Sequence, residues 1–162
     1  MSVKIRSINI QNRREFMKFI KILAMLLAAS FATGCATTET AVKDDTRKVV
    51  IQVSTKDPLT QKIALNNAAN VLKEFGPGNV LVEIVAYGPG LSILTKKSKN
   101  SKRVKSMAFN EDLQFSACNN TMKKIKKKKG KFPKLTKGVK IVPAGVVRIM
   151  ELQEKGYSYI RP

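Results

Sequence analysis

Val80-Leu81-Val82-Glu83-Ile84-Val85-Ala86-Tyr87 is a run with a single charged member, Glu83. A strand with one wet face alternates polar and apolar residues, whereas a strand covered on both faces reads as a continuous apolar run, the pattern of parallel sheets. This stretch is therefore read as a strand covered on both faces, as in a parallel α/β sheet. Upstream, Gly76-Pro77-Gly78 stops a helix. That helix opens on Asp57 as N-cap and Pro58 in the first turn. Its apolar stripe is Leu65, Ala68, Ala69 and Leu72, at helical spacing and running to Phe75. Before it, Lys48–Val53 is a β-branched run that predicts a buried strand, ended by Ser54 and Thr55.

Downstream, Gly88-Pro89-Gly90 leads into a short apolar patch, Leu91–Leu94. Six of the ten residues from Lys96 to Lys105 are basic, the mark of a solvated helix end or loop. Leu113–Cys118 reads as a third strand, with Leu113, Phe115 and Ala117 on one face and Gln114, Ser116 and Cys118 on the other. Asn119-Asn120-Thr121 resembles a capping cluster for a helix that turns Met122 and Ile125 inward, followed by the Lys-rich stretch from Lys123. Val139–Val142 is a fourth strand closed by Pro143-Ala144-Gly145. Val146, Ile149 and Met150 begin a last helix that Gly156 ends, and Tyr157–Ile160 adds a short edge strand. The alternation predicts a small open α/β fold, a largely parallel sheet of about five strands with helices on both faces.

The 162 residues carry 31 basic and 11 acidic side chains, a net charge of +20, with no His and two Cys. Without His, neither a Ser-His-Asp nor a Cys-His pair can be built, and a His/Cys metal site is not expected. No metal and no cofactor are called for. The charge attracts anionic lipid, polyanions or an acidic protein, and says nothing about fold.

Residues 1–35 have the three parts of a removable signal: a basic start, the apolar run Ile22–Ala32, then small residues. A membrane span needs about 20 apolar residues, more than this run supplies. Ala32-Thr33-Gly34-Cys35 is similar to the lipobox of bacterial lipoproteins, in which the Cys is lipidated and becomes the new N-terminus; Ala32 stands where Leu is usual. Ala36 then favours the outer membrane, and the expected address is the periplasm, lipid-anchored through Cys35. Two export routes stay open. Asn12-Arg13-Arg14-Glu15-Phe16-Met17-Lys18 resembles a twin-arginine motif, while translation from Met17 would begin a general-secretion signal. Residues 36–47 read as a flexible tether and 48–162 as the domain. The leader to Cys35 holds six bases (Lys4, Arg6, Arg13, Arg14, Lys18, Lys21) and one acid (Glu15), which leaves 25 bases and 10 acids, +15, behind it.

Ligands of open parallel α/β sheets meet the loops at the carboxyl ends of the strands. Those loops are Ser54-Thr55, Gly88-Pro89-Gly90, Cys118-Asn119-Asn120 and Pro143-Ala144-Gly145, and Cys118 is their one reactive side chain. A Cys at a strand end that opens a helix sits in the field of the helix N-terminus, which favours the thiolate. The other reading makes it a buried small hydrophobe. With Cys35 lipidated, Cys118 is the only thiol left, so no intrachain disulfide can form.

Five collinear stretches carry a resemblance: Val49–Val53, Ala64–Asn70, Val85–Gly90, Phe115–Thr121 and Val142–Val147, with the closing Gly156-Tyr157 and Ile160-Arg161-Pro162. Together they resemble the DsrE/DsrF-like family over residues 48–162. The resemblance implies a small α/β domain assembled into trimers or hexamers. Its better-understood members pass sulfur as a cysteine persulfide, from a Cys that follows a central strand and opens a helix; Cys118 matches that place. The relay of those members is cytoplasmic, so the export signal here separates the chain from their usual partners. The expected function is a cysteine-based carrier or sensor of sulfane sulfur acting through Cys118, a carrier rather than a turnover enzyme. Asn119, Asn120, Gly88, Gly90 and Gly145 form the expected ligand-binding surround, with the N–H groups of Asn119 and Asn120 stabilising the anion. A sulfur donor or acceptor protein is the expected partner. The alternative is a non-catalytic ligand-binding or assembly module, docking to anionic surfaces through the Lys clusters at 96–105 and 123–140. Phe132 is the one aromatic among those lysines, so specific nucleic-acid recognition is not expected.

Overall fold

Residues 46–162 are described by the structure, a computed structural model; the signal, the Cys35 lipidation site and the tether up to residue 45 lie outside them. Five strands form one sheet: β1 (Arg47–Val53), β2 (Val80–Ala86), β3 (Leu113–Cys118), β4 (Val139–Val142) and β5 (Ser158–Ile160). Their spatial order is β4-β3-β2-β1-β5, and every pairing is parallel. β2 is the middle strand and is covered on both faces, as its largely apolar run predicts; six of its seven residues are buried. β1 starts at Arg47, one residue into the expected tether.

The helices are α1 (Pro58–Phe75), α2 (Ser101–Met107), α3 (Asn119–Lys129) and α4 (Gly145–Glu154), with a 3₁₀ helix at Gly88–Leu94. α1 begins where the Asp57 side chain accepts from the Thr60 N–H at 2.7 Å and the Thr60 hydroxyl at 2.8 Å. The backbone donor, followed by the hydroxyl, holds the Asp57 carboxyl below its ordinary pKa. Its buried stripe is Gln61, Ala64, Leu65 and Ala68, displaced towards the N-terminus from the expected one, and Ala69 is only half-buried. Gln61 can be buried because its amide donates to Thr55 O at 3.0 Å and Ser92 Oγ at 2.9 Å. The basic stretch after Lys96 resolves into a turn followed by α2, whose Val104 is fully buried.

The register sorts side chains between two cores. Ile51, Val53, Ile84, Ala86, Phe115 and Ala117 face α1, the 3₁₀ helix, Val104 of α2 and Met122 of α3, forming the larger core. Val50 and Val85 face the other way and meet Ile149 and Leu152 of α4. Topology explains the imbalance. The steps β1→β2→β3→β4 all run in one direction, and right-handed crossovers put their connections on one face. The step from β4 to β5 returns past three strands and so covers the opposite face with α4 alone. Among the described residues no helix is long and apolar enough to cross a membrane.

Candidate functional site

Cys118 ends β3 and is the N-cap residue of α3. The neighbouring strand, β4, feeds α4 on the opposite face. Where adjacent parallel strands send their connections to opposite faces, a crevice opens at their carboxyl ends. Cys118 lies in that crevice, 5% exposed, between the N-termini of two helices.

Burial pushes the Cys118 thiol up, but the Thr121 hydroxyl and the backbone N–H groups of Gly145, Thr121 and Asn120 outweigh it, and the net pKa is lowered. The thiol closes no cap hydrogen bond of ordinary geometry. These donors act chiefly on the thiolate, whose full charge makes a far better acceptor than S–H. The Thr121 hydroxyl is polarised as a donor, because its Oγ1 accepts from the Gly88 N–H at 2.9 Å and its own proton is left for sulfur. Gly145 reaches Cys118 because it lacks a side chain; a Cβ there would lie 2.9 Å from Tyr87 Cβ. Replacing Thr121 by valine is expected to move the midpoint of the pH profile of iodoacetamide alkylation upward. Below the new midpoint less thiolate is present and the rate falls; an unmoved midpoint would remove Thr121 from the site.

An open cleft of about 1290 Å³ lies over the thiol. Gly88, Asn120 and Gly145 line it with Cys118, as do Tyr87, Thr121, Leu91, Ile125 and Phe132. Two residues expected there are not in its wall. Gly90 is packed against β1, where a Cβ would come 2.1 Å from the Val53 carbonyl oxygen, so it is glycine to let backbones approach. Asn119 is half-buried at the first helical position and has no part in lowering the thiol pKa. An N-cap side chain reaches the second and third N–H of its helix, here Asn120 and Thr121, and not the first. Reading the Asn pair as the cap hid the fact that Cys118 itself holds that place. Asn120 is the weakest of the donors, since its N–H also meets the Pro143 carbonyl at 3.3 Å. The loop after β1 stays outside the cleft, with Thr55 tied back to Gln61.

Beneath α4 a polar network lies beside the small apolar core. Arg148 donates through Nε to Glu83 Oε1 at 2.8 Å and through Nη2 to Oε2 at 2.7 Å. The Ser116 hydroxyl adds a third bond to Oε1 at 2.6 Å, and Gln114 donates to Ser116 at 3.0 Å. Glu83 is 3% exposed, and its hydrogen bonds hold the Arg148 guanidinium above its ordinary pKa. The one charged residue of the β2 run is thus the anchor of α4.

Among the described residues no group of three or more His, Cys, Asp or Glu is placed to hold a metal ion. No curated protein matches the chain. Among solved structures, MTH1491 of Methanobacterium thermoautotrophicum, a protein of unknown function, is 28% identical with a TM-score of 0.63; the match covers 72% of this chain and 99% of that one. The model of the DsrE/DsrF-like family matches residues 47–162. That match runs from the first residue of β1 to Pro162 and so takes in the sheet, both helix N-termini and Cys118: the chain belongs to the DsrE/DsrF-like family.

Proposed function

We propose that the protein is a carrier of sulfane sulfur, held on Cys118 as a persulfide. Family membership supports a link to sulfur relay, and one observation carries the specific reading: two helix N-termini and the Thr121 hydroxyl converge on a thiol whose pKa is lowered although it is buried. A packing cysteine needs none of these donors. In the first step the Cys118 thiolate attacks the outer sulfur of a persulfide or polysulfide donor; the donor's S–S bond breaks and the donor leaves as a thiolate. In the second, an acceptor thiolate attacks the outer sulfur on Cys118, and the Cys118 thiolate leaves. No electron is gained or lost overall, and a low pKa helps the second step by improving the leaving group.

Intact-mass measurement tests this on the full chain carrying Cys35→Ser, so that Cys118 is the sole thiol. Polysulfide treatment is expected to add about 32 Da, removable by a small thiol. The Cys118→Ser variant is expected to gain nothing. An unmodified parent, or an adduct that survives in Cys118→Ser, ends the carrier reading.

The same proposal places the carrier in the periplasm, lipid-anchored to the outer membrane through Cys35. It also assembles it into a trimer or hexamer. Supporting assembly, Ile141, Val146, Val147 and Met150 are all more than half exposed around β4 and α4, an unusual concentration of apolar side chains on a surface this basic.

A further inference from the structure

The lysines that look like a solvated surface in the sequence stand around the thiol. Lys96 and Lys97 come from the segment after the 3₁₀ helix, and Lys124, Lys127, Lys128 and Lys131 from α3 and the turn beyond it. Among the described residues eight lysines and no acidic side chain line the cleft. The two segments are strapped into one rim: Thr95 and Leu135 form an antiparallel bridge, and the Lys96 N–H donates to Lys134 O at 2.9 Å. Between the lysines the wall is apolar, with Leu91, Ile125 and the 45%-exposed Phe132, over which the Lys126 ammonium sits at 4.8 Å.

We propose that this cleft binds an extended acidic polypeptide segment with interspersed apolar side chains, the part of the exchange partner that brings its thiol to Cys118; the delivery of a thiol rests on the carrier reading. Charge complementarity chooses the sign, because so many like charges around one concavity are relieved only by an anionic occupant. Size chooses a chain segment over a small anion: about 1290 Å³ exceeds the roughly 300–1,000 Å³ of small-molecule sites. Shape disfavours a membrane, since Cys118 lies recessed where a flat surface does not reach. Two aromatics line the cleft, Tyr87 and Phe132, too few for a stacking series along nucleic acid. An extended chain sends successive side chains to opposite faces, so alternate acidic residues can meet the lysine rim while apolar ones meet the wall.

The test uses the full chain with Cys35→Ser and a short fluorescent peptide of alternating glutamate and leucine, against its glutamine counterpart. Fluorescence anisotropy is expected to show the acidic peptide binding at least about tenfold more tightly, a preference that shrinks as salt shortens the Debye length. It is expected to vanish in Lys124→Glu/Lys128→Glu and to persist in Lys62→Glu/Lys73→Glu, which changes the charge equally at exposed positions outside the cleft. Equal affinity for the two peptides overturns the proposal. So does capture of phosphatidylglycerol vesicles or single-stranded DNA by a protein that ignores the acidic peptide. Peptide preference in a protein that takes up no sulfur leaves the binding cleft standing and removes the carrier. Sulfur uptake without peptide preference does the reverse.

Discussion

Replacing Glu83 by leucine is expected to destabilise the domain by about 3 kcal/mol, the low end for breaking a buried ion pair, because the Arg148 left behind is 24% exposed. Arg148 would keep its charge under α4 with only Glu151, 3.4 Å away on the exposed surface, as a partner. Ser116 would lose its acceptor while fully buried. The double variant Glu83→Leu/Arg148→Met is expected to recover most of that loss, since a well-packed apolar pair replaces a buried ion pair at little cost. Urea unfolding of the single and double variants measures both. A single variant as stable as the parent would show that the network does not hold α4.

Gly90→Ala is expected to cost about 3 kcal/mol, at the upper end for overpacking. The new Cβ would lie 2.1 Å from the Val53 carbonyl oxygen and 2.5 Å from its carbon, and both are backbone atoms that no rotamer change can move aside. Either the 3₁₀ helix lifts or β1 bends, and Leu91, Ile93 and Leu94, all fully buried, move with it. Gly78→Ala is the control. It has a positive φ of 77° with nothing within 4 Å, so it incurs only the left-handed conformational penalty of about 1–2 kcal/mol. Thermal unfolding ranks the two, and equal losses would mean that the close approach at Gly90 is easily relaxed. A ligand-binding role for Gly90 would instead leave stability intact and weaken binding.

The strands were legible because burial on both faces writes itself into composition. Leu113–Cys118 has the bounds expected of it, and Val80–Ala86 stops one residue short of the apolar run. The stripe of α1 was less legible, because Gln61 is polar and its burial depends on Thr55 and Ser92, which local periodicity does not register. At the candidate site, the place of Cys118 at a strand end that opens a helix could be read from adjacent residues. Its donors could not. Gly88 acts through Thr121, 33 positions on, and Gly145 arrives from a different strand on the far side of the switch in crossover direction. The partner of Glu83 was hidden for the same reason, being 65 positions away. The lysines were visible as two runs, yet only the Thr95–Leu135 bridge turns them into one rim.

The two cores differ greatly in size: eighteen buried residues on the α1 side, against four beneath α4. A helix held by so small an apolar patch and one ion pair belongs to the least protected part of a fold, where local opening precedes global unfolding. Yet the N-terminus of α4 supplies the Gly145 amide that helps to acidify Cys118. Cys118 is therefore mounted on the firm side of the sheet, while one of its donors comes from the loose side. An opening of α4 would withdraw that donor, and a contact clamping its exposed Val146, Val147 and Met150 would keep it in place. Glu83, in the middle strand, thus ties to the sheet the helix whose first residue, Gly145, is a donor to Cys118.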